Sequence, residues 1–465
     1  MAKLKLRGKD LMKIGYPEGP AIGMAINMML KHYKRSSKEE VLNILADVLA
    51  RPEEFKNDRV LGRIVRTMQA KEEQKEIELG PLIEDYPIFG ASNIQQEALN
   101  QMNTALRLPI STGGALMADA HAGYGLPIGG VLAVDNAVIP YGVGMDIGCR
   151  MSLSLYNLKP DFLENNRSNL KKILVDHTRF GFNAFDSPMD DEVFSRSEFK
   201  EIKKVKELKQ KAVSQIGSSG SGNHFVEFGI VRLTDENNEF GLPLGEYMAL
   251  LSHSGSRGFG ANIAQYYTKV AMEKCLLPKE AKHLAWLSLD TQEGIEYWLA
   301  MNLAGDYASA CHNHIHQRIA KALGEESIAK VENHHNFAWK EKLPNGKEVI
   351  VHRKGATPAG KGVLGVIPGS MTAPGFIVRG KGSALSFNSA SHGAGRLMSR
   401  RKAKESITKK ELRMMLKKHQ VDLIGGGLDE SPIAYKDIKE VMGFQRDLVD
   451  VLGSFQPKIV RMAGD

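Results

Sequence analysis

Forty-six glycines are scattered through the 465 residues, and they constrain the fold more than any other feature. From about residue 81 onward they cut the apolar sequence into short runs, at 128–134, 144–155, 248–252 and 363–367. Runs this short, bounded by turn formers, read as strands. Helical periodicity intervenes at 200–214, 262–277, 291–323, 408–419 and 435–452. The two kinds of element alternate without the cadence of a doubly wound sheet. This predicts an α+β body over 81–465, one large domain with mixed sheets and surrounding helices.

Residues 1–80 read differently. Ser37 with Glu40 forms a capping-box pattern ahead of a helical apolar run ending near residue 49, and 58–78 also reads as helix. A small helical prefix is expected. Its segment Gly8-Lys9-Asp10-Leu11 … Pro17-Glu18-Gly19-Pro20-Ala21-Ile22-Gly23 resembles a helical hairpin of bacterial tRNA nucleotidyltransferases with Glu18 interposed; the alternative is an ordinary packing unit. The formal charge of +8 favours a polyanionic partner. Lys3, Lys5, Arg7, Lys9 and Lys13 suggest that the prefix tunes RNA choice. The basic stretch 199–211 is either a solvated helix face or an RNA-facing surface. Three scattered cysteines fit a reducing cytoplasm, and no run approaches the ~20 apolar residues of a membrane span. A soluble cytoplasmic protein is expected.

The chemistry concentrates in a few segments. His392 lies in Phe387-Asn388-Ser389-Ala390-Ser391-His392-Gly393-Ala394-Gly395-Arg396, where small neighbours leave room for a bulky ligand. Arg396 would add a forked cationic donor suited to phosphate. A loop histidine bonded only to its own backbone is the alternative. Asp146 and Cys149 occur in a glycine-rich stretch whose bends can bring them to one point. A carboxylate and a thiolate suit a borderline cation such as Mn²⁺, Zn²⁺ or Fe²⁺. His224, His253 and His335 each sit beside Gly, Ser or Asn, and the whole set suffices for two metals. Backbone N–H groups near Asn223 and along Pro368-Gly369-Ser370-Met371 are placed to bind phosphate. His312, His314 and His316 are spaced around a helix and read as surface or RNA-facing. His121 reads as fixing a turn beside the site or contacting phosphate.

In order along the chain, MADAHAGYGLPIGGVLA, VGMDIGC, GNHFVE, HSGSR, HHN, RKGATPA, PGSM and SHGAGR resemble the RtcB-type RNA ligases from about Pro109 onward. The resemblance implies an enzyme that joins RNA 3′-phosphate or 2′,3′-cyclic phosphate ends to 5′-hydroxyl ends with GTP and two Mn²⁺. By it, Asp146, Cys149 and His224 hold one metal, and Cys149, His253 and His335 the other. His392 carries GMP. Asn223, His224, Phe225, Val226, Glu227, His335, Asn336, Pro368, Gly369, Ser370, Met371, Gly375, His392, Gly393, Ala394 and Gly395 line the guanylate. An archease-like activating protein and a monomeric chain are also expected. Gly375 replaces a serine of the family, Arg150 a common glycine, and 460–465 the family's terminal Val-Lys-Gly, whose lysine reads the guanine. Arg461 could donate instead, and relaxed base selectivity is expected. A dinuclear metallophosphoesterase and an idle RNA-binding scaffold are the competing functions.

Overall fold

A computed structural model of the chain describes residues 4, 6–17, 19–72, 75–187 and 189–464. Lys3, Lys5, Glu18 and Asp465 therefore lie outside the described residues. Two compact units emerge, Met1–Ile77 and Glu78–Asp465.

The first unit is helical. Ser37 caps the helix Lys38–Ala50 through the Glu40 backbone N–H, and Glu40 caps Ser37 in return, a reciprocal pair worth about 1 kcal/mol. Val41, Leu45 and Val48 bury one face of that helix against Leu11, Ala25, Met29, Ile64 and Val65. The helix expected over 58–78 is shorter, Gly62–Glu72.

The second unit is built on a central sheet. Its order is Leu364–Ile367, Gly375–Gly380, Val449–Met462, Phe225–Leu233, Gly245–Ser254, Arg150–Tyr156 and Ser327–His334, all antiparallel neighbours. Asp422–Ile424 adds to Val449–Met462 in parallel. A second antiparallel sheet runs Ser111–Tyr124, Leu126–Val134, Glu348–Lys354 and Asn336–Lys342. The two sheets are joined in sequence at His335, where Ser327–His334 ends and Asn336–Lys342 begins. Mixed sheets among helices are what the glycine-punctuated runs predict.

The expected helix over 435–452 covers only Ile438–Gly443, because the chain turns at 444–448 and enters the long strand Val449–Met462. The basic 200–214 run forms a turn of helix, Glu198–Glu201, and then Lys203–Gln215, which buries Val205, Leu208 and Ala212.

One sequence expectation fails in an instructive way. His312, His314 and His316 are buried, not surface-exposed. They lie on the 32-residue helix Gln292–Leu323, which packs against the central sheet. Strand alternation turns Met151, Leu153 and Leu155 into one core and Ser152, Ser154 and Ser252 toward the helix. The Ser252 hydroxyl meets His312 Nδ1 at 2.6 Å and His316 Nε2 at 2.8 Å, and Ser154 Oγ meets His316 Nδ1 at 2.7 Å. His314 pairs with Asp191 at 2.8 Å. Side-chain hydrogen bonds make burial of these imidazoles tolerable.

Burial also sets their charge. It lowers the pKa of His312 to about 4 and that of His352 to about 4, and the Ile139 N–H donates to His352 Nε2 at 2.9 Å. A histidine depressed in the fold is neutral there while its unfolded counterpart charges below about pH 6.5. The unfolded chain therefore binds more protons between about pH 6.5 and 4, and stability falls as pH drops through that window. Each such histidine contributes ~1.4 kcal/mol per pH unit. Urea unfolding followed by fluorescence of Trp286, Trp298 and Trp339, all in the second unit, should give a lower unfolding free energy at pH 5 than at pH 7. Equal values would show that these histidines are not held neutral.

Candidate active site

Four adjacent strands deliver their chemistry at one end. Cys149 immediately precedes Arg150–Tyr156, His224 precedes Phe225–Leu233, His253 sits near the end of Gly245–Ser254, and His335 follows Ser327–His334. Register does the rest: Phe225 and Met151 both pair with His253, and Arg150 pairs with His334.

The atoms converge. Cys149 Sγ lies 3.2 Å from His253 Nε2 and 3.4 Å from His224 Nε2. His253 Nε2 is 3.3 Å from His335 Nε2, and His224 Nε2 is 3.0 Å from an Asp146 oxygen. Two sets with metal-ligand spacing share the thiol: Asp146, Cys149, His224 and Cys149, His253, His335. The glycines make this possible. Gly148 has φ +69° and rests on Gly305 of the long helix, and a Cβ on Gly255 would lie 2.2 Å from the Asp146 carboxylate. Arg150 locks the turn by ion pairing with Glu332 and donating to the Gly305 carbonyl at 2.7 Å.

The donor set fits divalent cations. His253 Nδ1 donates to the Asn223 carbonyl at 3.1 Å, which leaves its Nε2 as a bare lone pair aimed at two other acceptor-type atoms. Burial holds His253 and His335 far below the usual imidazole range, so protons do not bridge the cluster. Burial, reinforced by Asp146, pushes the Cys149 thiol well above its ordinary range. Nearby cationic charge inverts that preference and deprotonates a coordinating thiol.

His392 stands beside this cluster, its ring centroid 4.8 Å from that of His335. Asp119, fully buried on the strand Ser111–Tyr124, holds it: one carboxylate oxygen accepts from His392 Nδ1 at 2.6 Å and from the backbone N–H groups of His392 and Gly393 at 3.0 and 3.2 Å. Burial alone would raise the Asp119 pKa, but the His392 charge and hydrogen bond outweigh it and keep the carboxyl below its ordinary value. With Nδ1 bonded, His392 Nε2 is left as the reactive nitrogen.

A cleft of about 860 Å³ contains all of this, together with Asn223, Phe225, Glu227, Asn336, Pro368, Gly369, Ser370, Met371, Gly375, Gly393, Ala394 and Gly395. Val226 is the exception among the expected lining residues. It alternates to the opposite face and packs with Phe228, Ile230 and Ile459. Arg396 is also not a free phosphate fork: it donates to the carbonyls of Met398 and Asp429 and pairs with Glu430. His121 fixes a turn beside the site, its Nδ1 3.0 Å from the Asp119 carbonyl. Arg461 points away from the cleft, donating to the Leu174 carbonyl and lying over the Phe180 ring, while Val460 and Met462 face the cleft.

Two site residues escape a reading of the sequence. Asp119 lies 273 residues from His392, and only the fold pairs them. Lys354 lines the cleft, and burial lowers its pKa to about 7. Their signal was present in the motifs MADAHAGYG and RKGATPA, without a role attached.

A profile of the family described as tRNA-splicing ligase RtcB matches residues 101–463. This chain belongs to that family. It is 32% identical over 389 residues to the RNA-splicing ligase RtcB of Escherichia coli (strain K12), spanning 77% of this chain and 92% of that protein. It is 31% identical over 428 residues to the tRNA-splicing ligase RtcB of Methanococcus maripaludis, spanning 76% and 88%. The matched region holds every member of the RtcB motif series from MADAHAGYG to SHGAGR, and with it both donor sets and His392. Among the described residues no helix is long and apolar enough to cross a membrane.

Two outcomes follow for this RtcB-family site. Asp119→Asn keeps the side-chain shape but removes the charge, and should slow covalent nucleotide transfer to the protein by on the order of a hundredfold at unchanged thermal stability. A variant as fast as the parent would strip Asp119 of its role. Arg461→Ala should leave the same transfer unchanged, as measured by intact mass; a clear loss would return Arg461 to the cleft.

Proposed function

We propose that this chain is an RNA ligase that joins RNA 3′-phosphate or 2′,3′-cyclic phosphate ends to 5′-hydroxyl ends through a nucleotidyl–His392 intermediate and an RNA capped as (3′)pp(5′)N. GTP and two Mn²⁺ are the nucleotide and cations that the family resemblance implies. The observation that carries the reading is the Asp119–His392 pair, set beside a donor cluster of Asp146, Cys149, His224, His253 and His335.

His392 Nε2 attacks the α-phosphorus of the nucleotide. A P–N bond forms and pyrophosphate leaves. The substituted imidazole is cationic while Nδ1 keeps its proton, and the Asp119 carboxylate supplies the counter-charge. A terminal oxygen of the RNA 3′-phosphate then attacks the same phosphorus. The P–N bond breaks and His392 returns to neutral. The capped end is now a good electrophile: the RNA 5′-hydroxyl attacks it and the nucleoside monophosphate leaves. When bound, cations held by the two donor sets would neutralise phosphate charge and orient these in-line displacements. Lys354, with its pKa near 7, is placed to add positive charge to the cleft. The phosphoesterase alternative gives the Asp119–His392 pair no task. Arg7, Lys9 and Lys13 of the helical unit offer sequence-independent phosphate contacts for RNA.

His392→Ala should abolish both the acid-labile protein–nucleotide adduct and sealing of 3′-phosphate RNA. The same variant should still seal RNA supplied already capped at its 3′ end, because that step no longer needs the nucleophile. Loss of sealing on the capped substrate, measured by gel electrophoresis of labelled RNA, would make His392 structural instead.

A further inference from the structure

Glu227 is a buried carboxyl with an unusual setting. Only 4% of its surface is exposed, and it lines the cleft. Its cross-strand neighbours are Leu251 on one side and Val460 on the other. Along its own strand the next residues on the same face are Phe225 and Gly229, and the missing side chain of Gly229 is filled by the Phe455 ring. These walls are apolar. Among the described residues, no side-chain donor or cation hydrogen-bonds or ion-pairs with Glu227. The titratable groups of the flanking strands are engaged elsewhere: His253 with Asn223 and Cys149, Arg461 with Leu174. A buried polar group without a partner costs free energy unless a ligand supplies one.

The two positions that the family resemblance gives to nucleotide contacts add nothing polar here. Gly375 has no side chain, and Arg461 turns out of the cleft. We propose that this slot takes the adenine base of ATP in preference to guanine, with Glu227 paired to the base edge. The proposal rests on the nucleotidyl–His392 reading.

Hydrogen-bond chemistry decides between the bases. Burial with no compensating charge holds the Glu227 carboxyl well above its ordinary range, in its protonated form. A carboxylic acid offers one donor and one acceptor side by side. Adenine presents the complement, the N1 acceptor beside the 6-amino donor, and two hydrogen bonds close. Guanine presents two donors at N1 and the 2-amino group, which match an ionised carboxylate. Against the neutral acid, one guanine N–H faces an O–H. Guanine O6 would also enter a slot where neither Gly375 nor Arg461 supplies a donor. Leaving such groups unpaired lowers affinity by on the order of tenfold or more.

The test uses the full chain with Mn²⁺ and α,β-non-cleavable analogues of ATP and GTP in titration calorimetry. The adenine analogue should bind about tenfold tighter. Equal affinities, or a preference for guanine, would overturn the proposal. Glu227→Gln keeps a neutral donor–acceptor pair and should retain the adenine preference, whereas Glu227→Ala should abolish it. Loss of the preference in Glu227→Gln would also overturn it, since only a carboxylate reader is disabled by that change. Intact mass after incubation with equal ATP and GTP gives an independent readout: an AMP adduct supports the proposal and a predominant GMP adduct refutes it. Adenine-selective binding with no adduct from either nucleotide would sink the nucleotidyl–His392 reading and leave the base preference standing. Binding of neither analogue would end both.

Discussion

Cys149 Sγ lies within 3.4 Å of two imidazole nitrogens on two different strands, and a third imidazole nitrogen lies 3.3 Å beyond. Without an opposing charge such a cluster is unfavourable. It packs lone pairs together in a buried place, and the burial both neutralises the histidines and holds the thiol protonated. The surrounding structure is organised to keep it anyway. Four neighbouring strands end together, the Gly148 turn bends Asp146 and Cys149 inward, and the Arg150–Glu332 ion pair ties that turn to the strand leading to His335. Strain of this kind concentrated at one point is the usual mark of a functional centre.

The layers behind the centre make it rigid. The strands carrying Cys149 and His253 turn serines toward the long helix, and those serines bind His312 and His316. The opposite face of the same strands joins a core of Met151, Leu153, Leu251 and Phe455. Each strand is thus anchored on both faces, one polar and one apolar, and its end is positioned accordingly. The second sheet brings Asp119 to His392. Because His335 joins the two sheets, the nucleophile and the metal donors share one hinge residue.

Much of this was legible in the residues. Glycine spacing revealed the strands, and the Ser37–Glu40 pair located a helix start to the residue. Each donor of the cluster could be named because ligand residues flanked by Gly, Ser or Asn carry a local signature. What the residues concealed was pairing at a distance and orientation. Asp119 bonds to a partner in another sheet, and no local pattern encodes that. Val226 and Arg461 sit inside segments with the right chemistry, but strand alternation turns them away from the cleft. The helix histidines were misplaced for a related reason. Their spacing describes a helix surface, and only the fold shows that the surface is enclosed.

The central claim is that one thiolate bridges two cation sites, and electron paramagnetic resonance of the manganese-loaded protein addresses it directly. Two manganese ions per chain with an exchange-coupled spectrum are expected, and Cys149→Ser should remove the coupling. A single uncoupled manganese per chain, or a spectrum indifferent to Cys149→Ser, would contradict it.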